Sequence, residues 1–249
     1  MRRGSGRPAS AFHSRWYFGV GAINTSPAVD GNLVYITHGE ESPNTNEQGR
    51  ILCLDASKVV KGEPTLVWKR DGIIAKFASP LVVDGRLYVC DETAKMYCLD
   101  AKTGKDLWKK PFTYGRNAKG SPGFADGKIY IAEVNAKFHI LKPEEAGCKR
   151  LDQMLFRSAI PTASVEINGS PAVANGRIFF NTSEELYCIG KKEAAKADAI
   201  PAGPQEAKPD PSAKPAHLQI VPGEVVLDPG GSATFKARLF DDKGHFIKE

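Results

Sequence analysis

Very little in this sequence offers itself as a catalyst. Its five histidines, His13, His38, His139, His217 and His245, stand far apart, and none shares metal-ligand spacing with another. Its five cysteines are an odd number with no two adjacent, which argues against a disulfide framework. No Gly-x-Ser-x-Gly elbow and no phosphate-binding glycine loop occurs. Paired carboxylates exist only as sequence neighbours, at Glu40-Glu41, Glu144-Glu145, Glu184-Glu185 and Asp241-Asp242. They read as solvated turn residues, because an acid and a base must face one bond from two sides. Long apolar runs are missing too. Nothing approaches the roughly 18 residues of a membrane span, and the basic N-terminus is not followed by the apolar stretch of a secretory signal. Acidic residues are absent from residues 1–20, which hold Arg2, Arg3, Arg7 and Arg15, so the net charge of +5 belongs mostly to this tail. No stripe of Lys and Arg follows, so nucleic acid is not an expected partner.

What the sequence does have is repetition. The stretch SPLVVDGRLYVCDETAKMYCLDAKTGKDLWK, from Ser79 to Lys109, reads as four short strands joined by tight turns. Asp84-Gly85 closes the first hairpin, and Gly104 sits where a turn wants a left-handed backbone. The opening recurs as SPAVDG at Ser26, SPGFADG at Ser121 and SPAVANG at Ser170. The second strand recurs as LVYIT, KIYIA and RIFFN, and the third as ILCLD, FHILK and LYCIG. The closing tryptophan, Trp108, recurs as Trp16 and Trp68, with Phe156 in its place in the third copy. A period of roughly 40–50 residues with four strands per unit is that of a β-propeller blade. A lone meander of this size cannot bury both faces, so the copies must stack on one another. Cys53, Cys98 and Cys188 share one repeat position and read as small buried apolar residues. Cys148 falls in a loop.

The phrase LDAKTGKDLW, Leu99 to Trp108, resembles the quinoprotein-type (PQQ-like) propeller repeat, with its Ala, Thr-Gly-Lys and a tryptophan just beyond. LDASKVVKGEPTLVW in the first unit is a stretched version, and LKPEEAGCKRLDQMLF in the third has lost most of it. The resemblance covers roughly residues 14–190. The family includes pyrroloquinoline quinone dehydrogenases and a non-catalytic outer-membrane assembly lipoprotein. The resemblance implies that Trp16, Trp68, Trp108, Phe156 and Gly104 serve blade docking. It also implies, for the dehydrogenases, a calcium-bound quinone with an adjacent cysteine pair and a catalytic aspartate. None of those residues maps onto this chain. The family is mostly extracytoplasmic.

The expected fold is therefore all-β: a propeller of four-stranded antiparallel blades, about four of them, forming an arc of a larger ring. The alternative is that the Trp16–Val20 strand completes the last blade and closes a four-bladed ring. Residues 1–13 form a disordered basic tail and 14–190 the blades. Residues 191–216, rich in Ala, Pro and Lys, form a linker. Residues 217–249 resemble the opening strands of a bacterial immunoglobulin-like domain too short for its own core. Lacking a signal and opening on a closing strand, the chain reads as a fragment.

The functional expectation is a non-catalytic, extracytoplasmic scaffold for a protein or a polar or anionic ligand. The alternative is part of a quinone-dependent alcohol or sugar dehydrogenase, with pyrroloquinoline quinone and calcium as cofactors. No catalytic, cofactor or metal residue is assigned. In a meander the second-to-third and fourth-to-first connections lie at one end of the strands, and here those are the long ones. Loops on a rigid scaffold are where binding residues concentrate. That end is expected to display Lys76, Phe77, Tyr114, Arg116, Asn117, Lys119 and Asn168.

Overall fold

The computed structural model describes residues 23–41, 45–190 and 210–249, and every regular element among them is a β-strand. Trp16 lies outside the described residues, as do the basic tail and most of the linker. The chain divides into two compact units, one up to Lys196 and one from Ala197.

In the first unit the repeats become four antiparallel blades. The first is β1 (Ala28–Asp30), β2 (Leu33–Glu41), β3 (Gln48–Val60) and β4 (Glu63–Asp71). The second is β5 (Leu81–Val83), β6 (Arg86–Cys90), β7 (Lys95–Asp100) and β8 (Phe112–Thr113). The third is β9 (Gly123–Ala125), β10 (Lys128–Glu133), β11 (Lys137–Pro143) and β12 (Cys148–Leu155). The fourth has three strands among the described residues: β13 (Ala172–Ala174), β14 (Arg177–Asn181) and β15 (Leu186–Gly190). The fold is an open arc of blades. In the second, third and fourth blades the first hairpin closes as the dipeptide requires, with both residues left-handed: Asp84 and Gly85 at φ 50° and 71°, Asp126 and Gly127 at 49° and 66°, Asn175 and Gly176 at 49° and 67°.

Strand alternation explains the packing. Along β6 and β7, Leu87, Val89 and Leu99 face the first blade, where they meet Tyr35, Ile51 and Cys53. Tyr88, Cys90, Met96 and Cys98 face the third blade and meet Ile129, Ile131 and Leu141. A third core joins blades three and four around Tyr130, Phe138 and Phe180, with Phe138 and Phe180 stacked 4.3 Å apart. Each core thus lies between two blades.

Two features tie neighbouring blades together. The repeat-opening serines form a ladder: the N–H of Ser26 donates to Ser79 Oγ, that of Ser79 to Ser121 Oγ, and that of Ser121 to Ser170 Oγ, each at 2.8 Å. Farther out, the closing aromatic of one blade docks on the next. Trp68 Nε1 donates to the Ala101 carbonyl at 2.9 Å, and its ring lies over Gly104, where a Cβ would come within 2.7 Å of Cε3. Trp108 Nε1 donates to the Glu144 carbonyl at 3.2 Å. Phe156 packs edge-on to Phe180 at 5.2 Å.

Several expectations need correction. The stretched phrase of the first unit is a long β3–β4 ribbon, with bulges after Cys53 and Asp55 and a tight Lys61-Gly62 turn. Residues 106–109 of the second blade are not a strand. Leu107 and Trp108 both donate to the Cys98 carbonyl, which turns the indole inward, and pairing resumes only at β8. Cys148 opens β12 instead of lying in a loop, and Glu40 and Glu41 end β2 instead of occupying a turn. Cys53 and Cys98 are buried, but Cys188 is exposed.

The second unit is a three-stranded sheet of β16 (His217–Val221), β17 (Lys236–Phe240) and β18 (Phe246–Lys248). Glu224 to Leu227 forms no strand, and Val226 is fully exposed.

Trp108 is 2% exposed. Replacing it with alanine removes a buried indole and is expected to cost about 3–5 kcal/mol. Urea unfolding measures this, and an unchanged midpoint would contradict interblade docking as a source of stability.

Candidate functional site

The end of the strands that carries the long connections has its backbone stitched from blade to blade. The N–H of Glu92, in the β6–β7 turn, donates to the Ile74 carbonyl in the preceding loop at 3.2 Å. The Ala118 N–H, in the next loop, donates to the Glu92 carbonyl at 3.1 Å. The pattern continues from Val134 to Asn117 at 3.0 Å, Ile167 to Val134 at 3.3 Å and Ser183 to Glu166 at 2.8 Å. Loops and turns that would otherwise be mobile thus share one hydrogen-bonded rim.

Beneath this rim lies a recurring buried polar position. It is the sixth place of the second-strand register, counted from Leu33, Arg86, Lys128 and Arg177: His38, Asp91, Glu133 and Thr182, exposed by 1%, 7%, 0% and 6%. Each accepts backbone N–H groups from the rim. Asp91 Oδ1 takes those of Thr93 and Lys95 at 2.8 and 3.0 Å. Thr182 Oγ1 takes those of Glu184 and Glu185 at 3.2 and 2.9 Å, and His38 Nδ1 takes that of Glu40 at 3.2 Å. Glu133 reaches farthest. Its Oε2 accepts the N–H of Arg116 at 3.0 Å, and its Oε1 accepts from His139 Nε2 at 2.9 Å. Gly115 is required at this contact, because a Cβ there would lie 2.1 Å from the carboxyl carbon. In the first blade the same end is closed by a buried two-pronged pair, Arg50 to Asp71 at 2.6 and 3.2 Å.

The residues expected on this face divide. Phe77 is 42% exposed, and Arg116, Asn117 and Asn168 are exposed. Lys119 is half-buried. Lys76 is partly exposed and paired through Nζ with Glu92 Oε2 at 2.9 Å, and Asn168 Nδ2 donates to Glu166 Oε2 at 3.0 Å. Tyr114 does not belong to the displayed set. It is 2% exposed, its ring meets that of His139 edge-on at 5.6 Å, and its carbonyl accepts from Arg150 Nη2 at 2.7 Å. Burial holds its phenol well above the ordinary value of 10. Burial likewise pushes the Cys90 thiol up to about 12, which makes it an inert packing group.

Sequence reasoning missed the buried polar position and the serine ladder. The first was there to be found by aligning the four second-strand phrases, whose fifth and sixth places read Thr-His, Cys-Asp, Ala-Glu and Asn-Thr.

Shallow cavities lie at both ends of the strands. One of about 320 Å³ on the loop side is lined by Asn135, Phe156, Arg157, Ser158 and Ile160. One of about 280 Å³ beside the short turns is lined by Asp84, Arg86, Tyr88, Phe124 and Glu144. Among the described residues, no three His, Cys, Asp or Glu side chains converge as metal ligands. No helix among the described residues is long and apolar enough to cross a membrane.

Comparison with known proteins places these features in context. A family model described as outer membrane protein assembly factor BamB matches residues 5–110 and 61–144. The quinohemoprotein alcohol dehydrogenase ADH-IIG of Pseudomonas putida is 25% identical over 178 residues, which cover 63% of this chain and 24% of that enzyme. The chain therefore spans about a quarter of that curated relative. Among solved structures, the computationally designed Ika4 protein superposes with a TM-score of 0.51 at 10% identity, over 75% of this chain and 99% of Ika4. BamB from Moraxella catarrhalis gives a TM-score of 0.49 at 13% identity, over 68% of this chain and 46% of its own. At such identities the structural likeness concerns the fold alone.

His139 is buried, and desolvation holds its pKa below the ordinary 6.5 despite the opposing pull of Glu133. His38 is shifted the same way by burial and by Arg50. The unfolded chain therefore binds these protons first. Stability is expected to be level above about pH 6.5 and to fall as pH drops below it. His139→Gln keeps an N–H donor for Glu133 and removes the titration, so its unfolding free energy should fall less steeply between about pH 7 and 5.5. Identical slopes for the two proteins would contradict the assignment.

Proposed function

Because the chain belongs to the propeller-repeat family described as outer membrane protein assembly factor BamB, we propose that it is a non-catalytic binding scaffold that engages a polar or anionic partner on its long-loop face. The observation that carries this reading is the hydrogen-bonded rim under Phe77, Arg116, Asn117, Lys119 and Asn168. It offers aromatic, cationic and amide groups on backbone that is already fixed, which lowers the ordering cost of binding. The family description supports an extracytoplasmic location.

The test is fluorescence anisotropy with a labelled polyglutamate peptide at low salt. Arg116→Ala with Lys119→Ala is expected to weaken binding about tenfold and to flatten its salt dependence. Lys102→Ala with Lys105→Ala, near the short turns, should change little. If the second pair of substitutions costs as much as the first, the face is wrongly chosen.

The identity to the Pseudomonas putida enzyme favours a second reading, part of a quinone-dependent alcohol dehydrogenase. The residues present do not fit a calcium-held quinone. The sequence has no adjacent cysteines, and no metal-ligand cluster forms among the described residues. Calorimetric titration with pyrroloquinoline quinone and calcium is expected to give no binding heat, and micromolar binding would favour the second reading.

A further inference from the structure

The connection from the third blade to the fourth starts and ends on one turn. The Phe156 N–H donates to the Ala136 carbonyl at 2.9 Å, and the Ile167 N–H donates to the Val134 carbonyl at 3.3 Å. Val134 and Ala136 flank Asn135 in the turn between β10 and β11. Residues 156–167 therefore leave that turn and return to it, which is the form of an Ω-loop. Its course is held by its own bonds. The Ile160 N–H donates to Ser158 Oγ at 2.9 Å, and the Ala163 N–H donates to the Ile160 carbonyl at 3.0 Å. The Glu166 N–H donates to Ser183 Oγ at 3.1 Å, which ties the returning end to the fourth blade.

The loop-side cavity of about 320 Å³ lies between this loop and that turn. Such a volume is at the low end of the range for ligand sites. Its walls carry one charge, the guanidinium of Arg157. Asn135, Ser158 and Ser164 add neutral polar groups, and among the described residues no acidic one lines it. Arg157 is exposed, and no carboxylate among the described residues pairs with it. Arg50, Arg70 and Lys76, by contrast, are each paired with a carboxylate. Ser158 Oγ accepts the Ile160 N–H, and its own O–H remains to donate. A guanidinium beside a hydroxyl donor suits a carboxylate. Next to them stand two exposed aliphatic side chains, Leu155 and Ile160, at 48% and 61%.

Building on the scaffold reading above, we infer that this cavity takes an acidic residue of a peptide together with an adjacent aliphatic side chain. The carboxylate meets Arg157 and the Ser158 hydroxyl, and the aliphatic side chain lies against Leu155 and Ile160. Charge favours an acidic partner over a basic one, since a lysine here would face Arg157 with no acid to offset it. The two aliphatic side chains favour a peptide over a small inorganic anion, which would leave them in water. The loop is already closed on itself, so binding does not have to order it.

Fluorescence anisotropy on the full chain compares a labelled polyglutamate peptide with the same peptide carrying one central leucine. The leucine peptide is expected to bind about tenfold tighter, through burial of one aliphatic side chain. Arg157→Ala should weaken the leucine peptide about tenfold, because it removes a hydrogen bond between charged groups. Ile160→Ser should abolish the preference for leucine and leave the all-glutamate peptide unchanged. Lys149→Ala, at the opposite end of β12, should change neither. All three side chains are exposed, so folding is not at stake. Equal affinity for the two peptides, or an Arg157→Ala effect no larger than that of Lys149→Ala, would overturn the assignment. So would an absence of binding by the leucine peptide at about 1 mM, the weak end of specific recognition. Failure of the scaffold reading would show separately, as indifference of both peptides to Arg116→Ala with Lys119→Ala.

Discussion

A four-stranded blade has two apolar faces and no means of burying either alone. Everything else in the first unit follows from that constraint. Leu87, Val89 and Leu99 can leave water only against the first blade, while Tyr88, Cys90 and Cys98 can leave it only against the third. Stability is therefore held between units, as it is in repeat proteins generally. The blade-to-blade contacts sit at graded distances along the strands. Serine hydroxyls tie the repeat openings, alternating aliphatic side chains fill the middle, and a tryptophan reaches across to the next blade's carbonyl at the outer end.

This division explains what was readable in the sequence. The repeat, the strand order and the turns were legible because each is written in local chemistry. Asp84-Gly85 has to be a tight turn, and RLYVC has to be a two-faced strand. The tryptophan contacts were also marked, since Gly104 is kept free of a Cβ just where the Trp68 ring lies. Residues 106–109 misled because their composition suits a strand. Their pairing stops at one isolated bridge, Asp106 to Leu99, and at a single carbonyl, Cys98 O, that takes two N–H groups. Tyr114 misled in the other direction. Flanked by Gly115 and Arg116 it looks like a displayed loop aromatic, and its cover comes from His139, a residue of the next blade.

The buried polar position was hidden for a different reason. His38, Asp91, Glu133 and Thr182 share no chemistry beyond a side-chain atom that accepts a hydrogen bond. A search for identical residues passes over them, whereas a search for a shared task does not. The task is forced by geometry. Where the chain leaves the second strand, several N–H groups point inward and away from water, and burying them unpaired would cost about 1–3 kcal/mol each. Any acceptor of suitable length satisfies them, so identity drifts while burial stays.

The same economy decides which side chains of the rim reach solvent. Acceptors spent on the rim's own N–H groups point inward and are lost to solvent: Asp91, Glu133 and Thr182 are all less than a tenth exposed. On the outside stand the side chains of Phe77, Arg116, Asn117 and Asn168, with the exposed carboxylate of Glu166 bonded to Asn168. Arg116 shows the separation within a single residue. Its backbone N–H is held by the Glu133 carboxylate, and its guanidinium stays exposed. A cation on a pinned backbone gives up less freedom to a partner than one on a loose loop. The buried carboxylates of Asp91 and Glu133 thus hold their loops in place, and the side chains of Arg116 and Asn117 face outward from a loop that is already fixed.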